Sequence, residues 1–163
     1  MSEAPRTDTR PPLPPLAVVI VNWNGRDVLP DCLDSLKDAR YPGLRLLLVD
    51  NASADGSVAW AQAHHPDVEL LETGANLRWA GGNNAGLRHL AADGWTGPVL
   101  LLNNDTVVPQ GSLSRLVGAL VERPEAWAAT PRVCYASDPA RAWYDGGLVG
   151  PWTGWVRHRG IRK

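Results

Sequence analysis

Asp105 closes the run Asn103-Asn104-Asp105, which directly follows the apolar residues 99–102. A carboxylate with two amides at such a place can surround an oxygen-ligated cation and a diphosphate. Two further polar clusters repeat the pattern: Asn22-Trp23-Asn24-Gly25 follows the apolar run 17–21, and Asp50-Asn51-Ala52-Ser53 follows the run 44–49. Asp50 offers acceptors for a base N–H or a ribose hydroxyl, and the residues after it can turn the chain around that ligand. If the three apolar runs are parallel strands of one sheet, the clusters converge at its carboxyl edge, where open α/β proteins bind ligands. The expected chemistry is that of a nucleotide-dependent enzyme.

A fourth segment runs Gly74-Ala75-Asn76-Leu77-Arg78-Trp79-Ala80-Gly81-Gly82-Asn83-Asn84-Ala85-Gly86. Its glycines permit close backbone approach, and Asn76, Asn83 and Asn84 carry donors and acceptors. Arg78 brings a guanidinium suited to a diphosphate. This segment reads as a ligand-facing loop that feeds a helix.

The elements needed to position these groups are legible from apolar spacing. Val28, Leu29, Cys32, Leu33 and Leu36 make one face of a helix after the first strand, and Pro42-Gly43 ends that unit before the second strand, 44–49. The nearly continuous apolar character of 44–49 fits a strand covered on both faces, which favours a parallel sheet. Residues 57–63 predict a short helix, 68–71 a strand, 83–92 a helix bearing Leu87, Leu90 and Ala91, and 99–102 a fourth strand. Leu113, Leu116, Val117 and Leu120 mark a further helix. The alternation predicts a doubly wound α/β fold. Beyond Pro124, residues 127–129 and 132–135 read as short strands in a stretch punctuated by Pro131, Pro139, Gly146-Gly147 and Pro151. Trp127, Trp143, Trp152 and Trp155 offer broad apolar faces that could cover a cleft or a sugar.

Other classes fare worse. The 163 residues, 44% hydrophobic, suffice for one cored domain. With 16 basic against 17 acidic side chains, the formal net charge of -1 gives no domain-wide signature for nucleic acid. There is no GxxxxGK[ST] phosphate loop and no GxGxxG after the first strand, which disfavours a simple ATPase or NAD enzyme. His64, His65, His89 and His158 lack a zinc-ligand spacing, and Cys32 and Cys134 form no CxxC pair. No apolar run approaches the roughly 20 residues of a membrane span. The expected location is cytoplasmic, with the basic end, Arg157-His158-Arg159 and Arg162-Lys163, suited to a peripheral place on the acidic inner membrane face.

Taken in order, Val18-Val19-Ile20-Val21-Asn22-Trp23-Asn24-Gly25, Leu48-Val49-Asp50-Asn51-Ala52-Ser53-Ala54-Asp55-Gly56-Ser57, the Asn76 to Gly86 segment and Leu101-Leu102-Asn103-Asn104-Asp105 resemble an inverting family-two glycosyltransferase. The likeness is to the nucleotide-binding half of the rhamnosyltransferase-like bacterial branch and covers about residues 16–154. It implies a GT-A, Rossmann-like nucleotide-binding fold with a largely parallel central sheet, here apparently truncated. It also implies a UDP-, dTDP- or GDP-sugar donor and a sugar or lipid-linked acceptor. Asn22, Asp50, Asn76, Arg78, Asn83 and Asn103 would hold the nucleotide, and Asp105 would hold Mg²⁺ or Mn²⁺. Asn103 departs from the acidic first position of the family's Asp-x-Asp element but matches its Asn-Asn-Asp variant. In the complete enzyme a base would deprotonate an acceptor hydroxyl, which would attack the anomeric carbon opposite the diphosphate and invert it. No residue of this chain is assigned as that base. The expected organisation is a flexible proline-rich leader, 1–15, a partial GT-A domain, 16–154, and a basic tail, 155–163. The competing expectation is a catalytically incomplete nucleotide-binding or protein-interaction module.

Overall fold

A computed structural model describes residues 12–150 and 152–158. Four strands form its centre: β1 (Leu16–Asn22), β2 (Leu44–Asp50), β3 (Glu69–Glu72) and β4 (Val99–Asn103). All pair in parallel, in the order β3-β2-β1-β4. Each connection carries a helix: α1 (Leu29–Asp38) after β1, α2 (Ser57–His64) after β2 and α3 (Arg78–Ala92) after β3, while α4 (Ser112–Val121) follows β4. The expected α/β architecture with a parallel sheet is therefore present.

Alternation along β1 divides the core in two, because successive side chains point to opposite faces. Leu16, Val18 and Ile20 meet Leu29, Cys32, Leu33 and Leu36 of α1 and Leu113 and Val117 of α4. On the other face Ala17, Val19 and Val21 share a cluster with Leu47, Val49 and Leu90 of α3. Every residue of β1 is buried, as befits a central strand covered on both sides. At about 1.5–3 kcal/mol for each large side chain removed from water, these two clusters supply the main stabilising term.

The chain runs from β1 outward to β3 and then returns past β1 to place β4. The strand order thus reverses between β1 and β4, and a crevice opens outside their carboxyl ends at such a point. Asn22 and Asn103 end the two strands that flank it.

Several sequence expectations are revised. Helix α3 begins at Arg78 rather than at residue 83, so most of the supposed glycine-rich loop is helical. Its glycines serve packing. A Cβ on Gly82 would stand 2.7 Å from Val21, and one on Gly86 would stand 2.6 Å from Val19 and 3.1 Å from Val49. Residues 127–129 form no strand, whereas the expected strand at 132–135 is present as β5 (Val133–Tyr135), which pairs antiparallel with β6 (Asp138–Tyr144); β7 (Gly147–Val149) pairs with β8 (Val156–His158). Trp127 and Trp152 are almost wholly exposed and Trp143 and Trp155 largely so. At the front of the chain, Leu13 packs against the core, and the Tyr41 hydroxyl donates to the Pro14 carbonyl at 2.6 Å. The rest of the expected leader, 1–11, and the end of the basic tail, 159–163, lie outside the described residues.

The close seat of α3 generates a sharp expectation. Alanine at a helical glycine normally favours the helix by about 1 kcal/mol. Gly86→Ala should instead destabilise the protein by about 1–3 kcal/mol, because its methyl group enters occupied space. Urea denaturation followed by circular dichroism measures the sign; a stabilised variant would contradict this packing role.

Candidate functional site

The strand ends converge. Register places Asn22 beside Asp50 and Asp50 beside Glu72, with Val21 beside Asn103. Asn22 is fully buried and Asp50 is 2% exposed, so their polar atoms must find partners within the protein. They find each other. Asn22 Nδ2 lies 3.0 Å from Asp50 Oδ1, 3.1 Å from Ser53 Oγ and 2.9 Å from Ser57 Oγ. On its other side Asn22 Oδ1 accepts from Asn104 Nδ2 at 2.9 Å.

The serines complete the arrangement. Ser53 Oγ donates to Asp50 Oδ1 at 2.5 Å and accepts from the Asn24 backbone N–H at 2.9 Å. The Ser53 backbone N–H donates to Asp50 Oδ2 at 2.9 Å. Ser57 Oγ donates to Asp55 Oδ1 at 2.6 Å, and Asp55 Oδ2 accepts the Arg26 N–H at 2.8 Å. Burial pushes the Asp55 carboxyl upward, but the hydrogen bonds from Ser57 and Arg26 outweigh it and hold the group below its ordinary value. An ionised carboxylate has four lone-pair directions. Asp50 commits two on Oδ1 and one on Oδ2, leaving one on Oδ2 for a ligand donor.

This knot also explains Gly25. A Cβ there would collide with Asn104 Nδ2 and Asn22 Oδ1, so the turn after β1 passes directly over the amide pair.

The start of α3 is tied to the same edge. Asn76 Oδ1 accepts the Arg78 N–H at 2.8 Å, and Trp79 Nε1 donates to Asn103 Oδ1 at 2.8 Å. Asn76, Arg78, Asn103 and Asp105 are exposed here. Asn83 is not. It is 3% exposed, its Nδ2 donates to the Trp79 carbonyl at 2.8 Å, and its Oδ1 is buried without a partner among the described residues. The structure thus brings Asn22, Asp50, Asn76, Arg78, Asn103 and Asp105 to one edge and sets Asn83 beneath it.

Sequence reasoning missed the parts played by Asn51, Ser53, Ser57, Thr73 and Asn104. Ser53 and Ser57 sit in Asp50-Asn51-Ala52-Ser53-Ala54-Asp55-Gly56-Ser57, which showed their type but not that Asn22 would reach them from 31 and 35 residues away. Beneath the edge, Cys32 Sγ lies 3.7 Å from the Asn103 carbonyl. Burial, with a smaller contribution from the charge of Asp105, pushes its thiol up to about 12.

A second group of ligand-type side chains occupies the opposite end of the sheet. Glu69, His89 and Asp93 place one donor atom each within 4.8 Å of one another and form a candidate metal-coordinating triad. Glu69 opens β3, whereas His89 lies in the last turn of α3, about 16 Å along that helix from Arg78. The triad already holds a cation: Arg45 Nη2 lies 2.7 Å from Glu69 Oε2 and 2.5 Å from Asp93 Oδ2. Hydrogen bonding to Asp93 and then Glu69 raises the Arg45 guanidinium further above its ordinary value. His89 Nε2 completes the group, 2.5 Å from Glu69 Oε1. Carboxylates bridged by an arginine are neutralised without a metal.

The sequence profile of glycosyl transferase family 2 matches residues 17–159, which include every group at the carboxyl edge. The chain belongs to glycosyl transferase family 2. It is 33% identical over 125 residues to an N-acetylglucosaminyl-diphospho-decaprenol L-rhamnosyltransferase of Mycobacterium tuberculosis, covering 72% of this chain and 41% of that protein. Among solved structures, it is similar to a mannosyltransferase of Pyrobaculum calidifontis in complex with GDP-Man and Mn²⁺. That likeness has 28% identity and a TM-score of 0.59, covering 68% of this chain and 33% of the other. TarS of S. aureus in complex with UDP-GlcNAc shares the fold, with a TM-score of 0.57 at 16% identity. The chain therefore matches less than half the length of each of these relatives. No helix among the described residues is long and apolar enough to cross a membrane.

The thiol beneath Asn103 provides a check on how closed this floor is. At pH 8, iodoacetamide should modify half-buried Cys134 and leave Cys32 untouched until denaturant is added. Peptide mass spectrometry distinguishes the sites. Rapid alkylation of Cys32 in the folded protein would show that the layer under Asn103 opens.

Proposed function

We propose that this chain is the donor-binding region of a metal-assisted glycosyltransferase that takes a nucleoside diphosphate sugar. The observation that carries the reading is the convergence of Asp50, Asn76, Arg78, Asn103 and Asp105 outside the switch point between β1 and β4. The free lone pair of Asp50 Oδ2 suits a base N–H or a ribose hydroxyl. Arg78 suits the diphosphate, and Asn76 and Asn103 orient the groups between. Asn22 works from below by fixing Asp50, while Asn83 fixes the first turn of α3 through the Trp79 carbonyl.

Asp105 is the carboxylate suited to Mg²⁺ or Mn²⁺. It is exposed at the end of β4, and binding of such ions through one or two carboxylates plus substrate phosphates is the usual pattern. When bound, the ion would offset negative charge on the departing diphosphate. The Mn²⁺ and GDP-Man named for the Pyrobaculum protein support use of a divalent ion together with a nucleoside diphosphate sugar. The triad is occupied by Arg45 and lies at the start of β3 and the end of α3, opposite the strand ends that carry the nucleotide groups, which favours Asp105 over it.

Inverting transfer to a hydroxyl on a sugar or lipid-linked acceptor is our reading for the whole protein. The mycobacterial relative's rhamnosyltransferase name makes rhamnose the first donor sugar to try, on each of the three nucleoside diphosphates. A base that activates the acceptor is not among the groups gathered at this edge. We therefore expect residues Met1–Lys163 alone to bind a nucleotide while transferring sugar slowly or not at all. The second reading, a binding module without turnover, draws on the 41% share of the mycobacterial relative that the chain covers. Mass spectrometry of acceptor products, with donor hydrolysis followed separately, checks that expectation: nucleotide binding with little or no transfer upholds it, and robust transfer by this chain would contradict it and reject the second reading as well.

Two substitutions test the donor site by calorimetry with UDP, dTDP and GDP. Asp105→Ala should remove most of the metal-dependent gain in diphosphate affinity and leave the circular dichroism spectrum unchanged. Asp50→Ala should weaken even the nucleoside by about 30-fold, for a charged hydrogen bond worth about 2 kcal/mol. Wild-type affinity in either folded variant would remove that residue from the site.

A further inference from the structure

Arg78 has a left-handed backbone, with φ 61, at the very start of α3. Glycine occupies that region freely, whereas a residue with a Cβ is strained there. An arginine at such a place needs both a reason to be there and something to hold it. Two asparagines hold it. Asn76 Oδ1 takes its N–H, and Asn51 Nδ2 donates to its carbonyl at 3.1 Å.

Asn51 is built for this contact. It is 1% exposed, and its backbone N–H donates to the Asn22 carbonyl at 2.8 Å, which fixes it to the end of β1. Its Oδ1 lies 3.2 Å from Thr73 Oγ1, just beyond β3. Gly82 lets the helix come close enough for the reach, since a Cβ there would stand 3.2 Å from Asn51 Nδ2. Asn51 therefore joins the end of β1, through its backbone N–H, and the residue after β3, through its side chain, to the peptide of Arg78. The next residue, Trp79, is anchored on the other side by Asn103. Between these anchors the Arg78 side chain is exposed at the carboxyl edge, and no carboxylate among the described residues pairs with it.

We infer that Asn51 is a positioning residue: by holding the Arg78 peptide in its left-handed conformation, it aims the guanidinium at the diphosphate of the donor. The inference rests on the donor-binding reading above and adds the residue on which diphosphate recognition depends. A guanidinium presents a planar fork of donors matched to phosphate oxygens, and its usefulness depends on direction as well as charge. Asn51 supplies direction without touching the ligand.

The test compares a nucleoside with its diphosphate, using uridine and UDP, thymidine and dTDP, and guanosine and GDP, all with Mg²⁺ at matched concentration. Arg78→Ala should lower diphosphate affinity by about tenfold or more, the loss of a charge-assisted hydrogen bond, and leave nucleoside affinity unchanged. Asn51→Ala should reproduce that selective loss, and the double variant should be no worse than either single one. If Asn51→Ala loses its native circular dichroism spectrum, Asn51→Asp, which keeps the shape and the acceptor facing Thr73 but removes the Nδ2 donor to the Arg78 carbonyl, carries the same expectation. A loss that falls equally on nucleoside and diphosphate, or that adds to the Arg78→Ala effect, would make Asn51 merely structural. Wild-type diphosphate affinity in the anchor variants would likewise overturn the inference while leaving the donor site intact. Absence of nucleotide binding by the wild-type chain would instead reject the donor-binding reading and this inference together.

Discussion

The amide of Asn22 is the constraint around which the carboxyl edge of the sheet is organised. It ends β1, the strand buried on both faces, at the point where a buried polar group must be satisfied or else destabilise the fold. Its nitrogen turns toward Asp50, Ser53 and Ser57 and its oxygen toward Asn104. One side chain thereby joins the turns after β1, β2 and β4. Because each partner is used by others in turn, the three loops hold one another in a single arrangement. For the proposed donor site that amounts to preorganisation: Asp50 retains one acceptor direction, and the Arg78 peptide and Asn103 beside it are held by Asn51, Asn76 and Trp79.

The two ends of the sheet treat charge in opposite ways. At the amino end Glu69 and Asp93 close on Arg45, with His89 beside them, so positive and negative groups satisfy one another. Hydrogen bonds from His89 and Arg45 overcome the upward push of burial and hold Glu69 below its ordinary value, and Arg45 does the same chiefly for Asp93. These lowered values stabilise the folded state above the unfolded carboxylate range near pH 4, and that contribution is lost as pH falls through the folded values. At the carboxyl end, Arg78 and Asp105 remain exposed with opposite charges on a shared edge. The first end is a staple joining β2, β3 and α3, and ligand binding is the role we propose for the second.

Much of this was legible in the sequence because strands covered on both faces write themselves as apolar runs, and polar residues directly after them fall at one edge. Residues 17–21, 44–49 and 99–102 read correctly as strands for that reason, and α1 followed from the spacing of Leu29, Cys32, Leu33 and Leu36. The start of α3 did not. Gly81, Gly82 and Gly86 look like a loop because glycine disfavours helix, yet Gly82 and Gly86 are here the condition for a helix lying close on Val19, Val21 and Val49. Local propensity carries no information about that distance. For the same reason Asn51 read as a turn residue: its partner Arg78 is 27 positions away and is reached only after β3 and α3 have been placed. The segment after α4 was harder still, since the hairpin of β5 and β6 places Pro139 inside a strand, where composition argues against one.

The central claim is that a nucleotide and its metal meet at the carboxyl edge, beside Asp105, and not at the triad formed by Glu69, His89 and Asp93. Paramagnetic broadening by Mn²⁺ of assigned backbone amide NMR signals, recorded with and without each nucleoside diphosphate, tests this most directly. In the presence of the nucleotide that binds, signals of residues 103–106 and 50–53 should broaden at Mn²⁺ concentrations that leave those of Glu69, His89 and Asp93 sharp. Broadening centred on Glu69, His89 and Asp93, or broadening at Asp105 that no nucleotide strengthens, would contradict the account.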